Sequence, residues 1–264
     1  MGLISGAAAD RNDAAVRIEL PRDVSLDGHL VDRAIGYLTV TTGIAFAVAL
    51  GVMLASLILH RARAGRTWAQ HTHGNRRRDR ALTFAMALIL FVGIDVTLAV
   101  RANRDLDGRF WSYPDHDPAA LRVEVTARQW AWSFRTAGPD GRFGTPDDVV
   151  TLNELDVPVG RPVYLKLRSR DVVHSLYLPS YRFKIDAIPG STTRAWFQAV
   201  EAGRTELGCA QFCGVSHYKM SGLLIAREEP DYGRWLARAQ VDSQLRFDPA
   251  AGSAADAWDW ETGR

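Results

Sequence analysis

Residues 37–59, YLTVTTGIAFAVALGVMLASLIL, form a run of 23 residues without a charge. As a helix this run is about 34 Å long, enough to cross a hydrocarbon core with some tilt. A second run at 81–100, ALTFAMALILFVGIDVTLAV, gives about 30 Å of helix and carries one charge, Asp95. Neither run shows the polar face of a core helix in a soluble protein, so two membrane spans are expected. The first run does not read as a cleavable signal. It is preceded by 36 residues, its apolar stretch is too long, and no small-residue cleavage site follows. Asp95 lies within about two turns of the end of its span, where a carboxylate can snorkel to the interface.

Charge orients this hairpin. The connector at 60–80 holds Arg61, Arg63, Arg66, Arg76, Arg77, Arg78 and Arg80 against Asp79 alone, a net +6, whereas residues 1–36 carry −2. The positive-inside rule places the connector in the cytoplasm, with the N-terminal segment and everything after residue 100 outside. Topology therefore explains the arginines without nucleic-acid binding, which the whole-chain net charge of +2 also argues against.

Residues 101–264 read as strands. Leu121, Val123, Val125 and Ala127 alternate on odd positions, then Trp130, Trp132 and Phe134 on even ones, a parity switch that predicts a bulge near Arg128–Gln129. Val163, Leu165 and Leu167 alternate again, 196–200 and 221–226 are apolar runs, and Gly/Pro pairs punctuate the intervals. Short strands between regular turn signals predict an antiparallel sandwich or barrel, followed by a short helical turn at 232–239. The aspartates of GPDGRFGTPDDV (138–149) are spaced for a tight hairpin turn and lack the ligand pattern of a calcium loop. The tail at 248–264 is Ala/Asp-rich, with Trp258 and Trp260 available for packing.

The chemistry sits in Cys209-Ala-Gln211-Phe-Cys213-Gly-Val-Ser-His217-Tyr-Lys-Met220. This stretch contains both cysteines of the chain, and His174 is the other histidine of the region 121–264. Three readings compete. A Cys209–Cys213 disulfide leaves the histidine and methionine spacing unexplained. A zinc site has no need of a thioether. Thiolate, imidazole and thioether together point to copper. Two thiolates can bridge two coppers, with His174 and Met220 serving one, and His217 and a backbone carbonyl, naturally that of Gln211, serving the other. With no position left open for a substrate, such a centre relays electrons.

Three motifs then carry a family resemblance: Arg128-Gln129-Trp130-Ala131-Trp132, DVVHSLYLPSYRFKIDAIPG (171–190), and the Cys-x3-Cys-x3-His-x2-Met loop. The chain resembles cytochrome c oxidase subunit II. The resemblance implies a membrane-anchored all-β domain, in which a two-helix transmembrane hairpin precedes a cupredoxin-like Greek-key β-barrel. The expected layout is an extracytoplasmic segment at 1–36, the hairpin at 37–100, the cupredoxin domain at 101–240 and a tail at 241–264. Carried over, Cys209 and Cys213 are bridging thiolates of a binuclear copper centre, His174, His217 and Met220 its terminal ligands, and Gln211 the donor of a backbone carbonyl. Trp130 matches the aromatic point where an electron from cytochrome c enters. Asp186 matches a position near the subunit interface, with a turn-stabilising role as the alternative.

The implied function is respiratory. Electrons pass from cytochrome c to the copper centre and on to haem in subunit I, where O₂ is reduced to water with proton pumping. The chain is then the electron-entry subunit of a proton-translocating oxidoreductase in a bacterial inner membrane, partnered by subunits I and III. The alternatives are the copper subunit of a haem–copper nitric oxide reductase, or a membrane-anchored copper-binding or assembly protein. Some departures are informative. Gln211 stands where the family commonly has a glutamate that helps bind Mg²⁺, and an amide offers only a neutral oxygen, which argues against Mg²⁺ here. Asp79 stands near a family acid, and the resemblance implies a part for it in proton entry. No Cys-x2-Cys-His motif occurs, so no fused haem c domain is expected. The outer domain's charge of −1 is a poor match for a strongly acidic docking surface.

Overall fold

The computed structural model describes residues 20–61 and 75–246. Most of the arginine connector, the first 19 residues and the tail with Trp258 and Trp260 lie outside the described residues.

Helix α1 (Gly28–His60) has 33 residues, about 50 Å. It outruns the uncharged segment at its N-terminal end, where its polar first turns reach the β-domain. Ser25 Oγ accepts the Gly28 N–H at 2.9 Å, satisfying one of the orphan donors of the first turn. The guanidinium of Arg182 donates to both carboxylate oxygens of Asp32, at 2.6 and 3.0 Å. Helix α2 (Arg76–Phe110) has 35 residues. It is capped by Asn75, whose side-chain oxygen accepts the N–H groups of Arg77 and Arg78. Its turns widen to π-type hydrogen bonding at Phe91–Val96 and Leu106–Phe110. Within the first wide segment the Gly93 carbonyl accepts the Tyr37 hydroxyl at 2.8 Å, a bond between the two helices. The apolar side chains stand outward along both helices, Phe46 and Phe84 being 68% and 70% exposed. Helices that satisfy their own backbone while presenting apolar groups on all sides suit a bilayer, and they make this a membrane protein.

The β-domain holds ten strands: β1 (Leu121–Arg128), β2 (Ala131–Thr136), β3 (Val149–Leu152), β4 (Glu154–Pro158), β5 (Pro162–Ser169), β6 (His174–Leu178), β7 (Phe183–Ala187), β8 (Thr193–Gln198), β9 (Gly203–Cys209) and β10 (Ser221–Arg227). They form two five-stranded sheets, ordered β3-β2-β1-β5-β8 and β4-β10-β9-β6-β7. The inward side chains of both sheets, among them Val125, Trp132, Phe134, Leu165, Leu176 and Leu224, make one core. Helix α3 (Glu229–Arg246) closes the domain, with Tyr232 buried against that core.

Three details differ from the sequence reading. The expected bulge at Arg128–Gln129 is a two-residue hairpin turn, with Arg128 opposite Ala131; a chain reversal changes side-chain parity just as a bulge does. The sheets are not wholly antiparallel, because β1 pairs with β5, and β4 with β10, in parallel. The helical turn at 232–239 is part of an 18-residue helix.

Residues ahead of α1 tie the hairpin to the domain. Val24 N–H donates to the Ser180 carbonyl, Leu26 N–H to that of Gln198, and Val200 N–H to that of Val24, at 2.9–3.0 Å. This short addition covers part of β8, the outer strand of its sheet.

On β1 and β2, Glu124 faces Arg135, which also reaches Asp148, at 3.3 and 3.2 Å. Asp148 in turn accepts the Gly144 N–H at 2.7 Å, so the 138–149 loop is a turn anchored on the sheet. Burial pushes the Glu124 carboxyl up to about 7, against the pull of Arg135. The folded state then holds a proton that the unfolded chain has released. Stability from this group is full below about 4.5 and declines as pH rises through about 7. Glu124→Gln is expected to remove this decline, on the order of 1–3 kcal/mol, in urea unfolding of the two proteins at pH 5 and pH 8.

Candidate metal centre

The ligand loop hangs between β9 and β10 and is closed at its neck. The Cys209 N–H donates to the Met220 carbonyl at 3.0 Å, and the Ala210 N–H donates to the Ser175 carbonyl at 2.9 Å, docking the loop on β6 beside His174. The loop's far end folds into a turn of 3-10 helix, His217–Lys219.

This framework brings together the predicted donors. The sulfurs of Cys209 and Cys213 are 3.8 Å apart, and neither cysteine is in a disulfide. Against Cys209 Sγ lie His174 Nδ1 at 4.0 Å and the Gln211 carbonyl oxygen at 3.1 Å. Against Cys213 Sγ lie His217 Nδ1 at 3.5 Å and Met220 Sδ at 3.8 Å. The donor atoms of His174, Cys209 and Cys213 all fall within 4.8 Å of one another, close enough to share a metal ion. Cys213, Met220 and His174 are buried, while the Gln211 side chain is exposed and contributes only its backbone oxygen to the cluster.

The two thiols differ. Burial opposes ionisation of Cys209, but hydrogen bonds from His174, from the backbone at Ser175 and Gln211 and from His217 bring it down to about 6. Burial and the neighbouring Cys209 push Cys213 up to about 12. Two negative sulfurs 3.8 Å apart repel each other, so the pair resists joint ionisation. A pair of buried thiols that resist joint ionisation, ringed by imidazole, thioether and carbonyl donors, has the chemistry of a soft-metal cradle.

Sequence reasoning missed the supports of this cradle. The Asp171 carboxylate accepts from His174 Nε2 at 2.8 Å, leaving Nδ1 to face Cys209. A carboxylate on the outer nitrogen fixes the tautomer and the ring plane. The same carboxylate accepts the Gln129 N–H at 2.6 Å, linking the histidine to the β1–β2 turn. The Cys213 carbonyl accepts both the Gln129 side-chain amide, at 2.8 Å, and Trp130 Nε1–H, at 3.2 Å. Trp130 is thus one hydrogen bond from a candidate ligand. Asp186 lies within β7, opposite Ser175 of β6, and accepts that residue's hydroxyl at 2.6 Å, so it braces the strand beside His174 and does not stabilise a turn.

Asn153 is a second hidden support. It holds a left-handed backbone, φ 56°, donates its N–H to the Trp132 carbonyl at 2.7 Å and accepts the Leu223 N–H at 2.9 Å. A Cβ on Gly222 would collide with the Asn153 carbonyl. Glycine therefore lets β10 pass this turn directly after Met220. The signal was a lone glycine inside a strand pattern, a mark of close backbone approach.

A β-sandwich on a membrane hairpin, with thiols, imidazoles and a thioether gathered at one end, defines a membrane-anchored cupredoxin-like protein. Residues 121–226 match the family described as cytochrome c oxidase subunit II, periplasmic domain. An alternative cytochrome c oxidase subunit 2 of Bradyrhizobium diazoefficiens is 37% identical over 148 residues, which cover 48% of this chain and 53% of that protein. A cytochrome c oxidase subunit 2 of Cereibacter sphaeroides is 25% identical over 233 residues, covering 77% of this chain and 73% of that protein. One of Thermostichus vulcanus is 35% identical over 145 residues, covering 54% of this chain and 38% of that protein. The chain thus spans about half of the first of these relatives and less of the last. Among solved structures, the periplasmic domain of subunit II of cytochrome oxidase from Bradyrhizobium japonicum superposes with a TM-score of 0.42 at 26% identity, covering 46% of this chain and 94% of that one. The likeness to the cytochrome c oxidase subunit II family thus rests on residues 121–226 of the chain.

Two substitutions probe the supports. Asp171→Asn is expected to weaken copper affinity about 10- to 100-fold in competition with a chelator, with little change in fold. Gly222→Ala is expected to cost about 1–3 kcal/mol in thermal unfolding, because the backbone of Asn153 cannot yield to a methyl group.

Proposed function

We propose that this chain is the electron-entry subunit of a haem–copper cytochrome c oxidase in a bacterial inner membrane, with its β-domain outside. In this reading Cys209, Cys213, His174, His217, Met220 and the Gln211 carbonyl hold two copper ions. The observation that carries it is the convergence of two sulfur–sulfur contacts, two ring nitrogens and one carbonyl oxygen around the Cys209–Cys213 pair. When bound, such a copper pair supplies one-electron exchange with little change of ligand geometry.

The chain's own residues do the rest. The β9–β10 neck and the Ala210–Ser175 bond hold the donors before any metal arrives, so little reorganisation is needed on loading or on electron transfer. Asp171 orients His174, and burial of Met220 and Cys213 keeps water from the inner side. Trp130, half-buried at the surface and bonded to the Cys213 carbonyl, is the entry point for an electron from a c-type cytochrome. The electron then passes to haem in subunit I, where O₂ is reduced with proton pumping, and subunit III completes the assembly. The arginine connector holds the hairpin in its orientation across the membrane.

Copper loading tests this reading. The full chain in detergent is expected to bind two coppers and to show the optical and paramagnetic signature of an electron shared between them. Cys213→Ser is expected to abolish the shared-electron signature and leave at most one copper. Binding of a single copper by the unaltered chain, or preference for zinc, would overturn the proposal.

A further inference from the structure

The outer face of the β3-β2-β1-β5-β8 sheet carries a cleft of about 220 Å³ with cationic walls. Strand alternation builds it. Val123, Leu165 and Ala195 turn into the core, so their neighbours Arg122, Lys166 and Arg194 stand on the opposite face. Strand pairing sets Lys166 directly opposite Arg194 on one side and Glu124 on the other. Like charges at directly opposed positions of a sheet repel. Among the described residues neither Lys166 nor Arg194 is in an ion pair. The Arg122 guanidinium donates to the Asp115 carbonyl at 3.1 Å. Buried Tyr164, on the strand between Arg122 and Arg194, makes the floor, with Tyr113 packed 6.2 Å from it between ring centroids. Phe143 of the 138–149 turn makes one wall, and the Arg135 guanidinium lies 5.1 Å from its ring centroid.

Cations outnumber carboxylates here. Asp115 is the one carboxylate in the walls, against Arg122, Lys166 and Arg194. Glu124, opposite Lys166, is buried, paired with Arg135 and pushed up to about 7, so it carries only part of its charge near neutral pH. Asp148 shares Arg135 with it. On the flanking segments, Asp117 accepts the Ala119 N–H and Asp140 the Arg142 N–H. The Tyr164 phenol faces Arg194, Asp115 and Arg122, and burial raises it above its ordinary range, so it remains a hydroxyl donor.

We propose that this cleft binds the phosphate group of a soluble anion. Two guanidinium groups, an ammonium and a phenol hydroxyl match the oxygens of a tetrahedral dianion, and each arginine offers it paired donors. A dianion between Lys166 and Arg194 also relieves their repulsion, whereas a single carboxylate leaves much of the positive charge uncompensated. The site is separate from the metal centre, since Arg122 lies about 23 Å along β1 from Gln129. It also stands above the membrane surface. Helix α2 continues from residue 100 to Phe110, about 15 Å beyond its apolar run, before the chain reaches Asp115. The headgroup layer is about 5–8 Å deep, so lipid phosphates lie below the cleft.

The test uses the full copper-free chain in neutral detergent near neutral pH. The probe is inorganic phosphate, compared with chloride and acetate at equal ionic strength. Calorimetric titration is expected to show one saturable phosphate site, and phosphate is expected to raise the unfolding temperature more than either control anion. Lys166→Gln and Arg194→Gln are each expected to weaken phosphate binding about tenfold, while Arg238→Gln on α3 leaves it unchanged. With the repulsion removed, neither cleft variant is expected to lower the unfolding temperature in phosphate-free buffer, which a merely structural role would do. No saturable site, unchanged binding by both cleft variants, or equal stabilisation by chloride overturns the proposal. The titration is repeated in vesicles of neutral lipid, with and without acidic phospholipid, at about 150 mM salt, where surface repulsion is screened beyond about 8 Å. Equal binding in both supports a soluble ligand. Loss of the site in the acidic vesicles assigns it to a lipid headgroup and overturns the soluble-anion reading.

Discussion

The ligand end depends on one backbone hydrogen bond, from the Cys209 N–H to the Met220 carbonyl. It closes the neck of a twelve-residue loop at the point where β9 and β10 stop pairing side by side. With the neck closed, the cysteines, His217 and Met220 are confined to a few ångströms by short-range geometry alone. The long-range requirement is that His174 meet them, and the neighbouring Ala210–Ser175 bond meets it by laying the loop along β6. Burial beside Cys209 makes Cys213 resist ionisation, and the surrounding β-sandwich core holds the two thiols side by side.

The same economy joins the membrane hairpin to the domain. Residues 24–26 lie along the end of β8, and Arg182, close to the β6–β7 turn, pairs bidentately with Asp32 on α1. The first span is therefore held by both sheets, through the end of β8 and through the β6–β7 connection. On the second helix, the Arg109 carbonyl accepts the Trp196 indole N–H at 2.9 Å. Both helices thus reach the domain through a backbone or ionic contact, which limits tilting of the ligand end against the membrane.

The apolar runs and the sulfur-rich loop were legible in the sequence because each depends on neighbouring residues. Spans are read from uninterrupted hydrophobicity, and a loop that supplies four donors within twelve positions declares its own proximity. His174 was legible by its rarity. The supports were not. Asp171 and Gln129 act through side chains aimed at particular atoms of the site, and Asn153 and Gly222 through close backbone approach between strands, and no periodicity records either. The short strands β3, β4, β6, β7 and β9 escaped a pattern search because polar or glycine residues interrupt them. The parity switch at Gln129 was a real signal read as the wrong device, since a hairpin and a bulge leave the same trace.

The central claim is that one cradle holds two coppers bridged by Cys209 and Cys213. Copper K-edge X-ray absorption of the loaded full chain tests it most directly. The account predicts two sulfur neighbours per copper together with a copper–copper shell. A spectrum with one sulfur per copper and no metal–metal shell would contradict it.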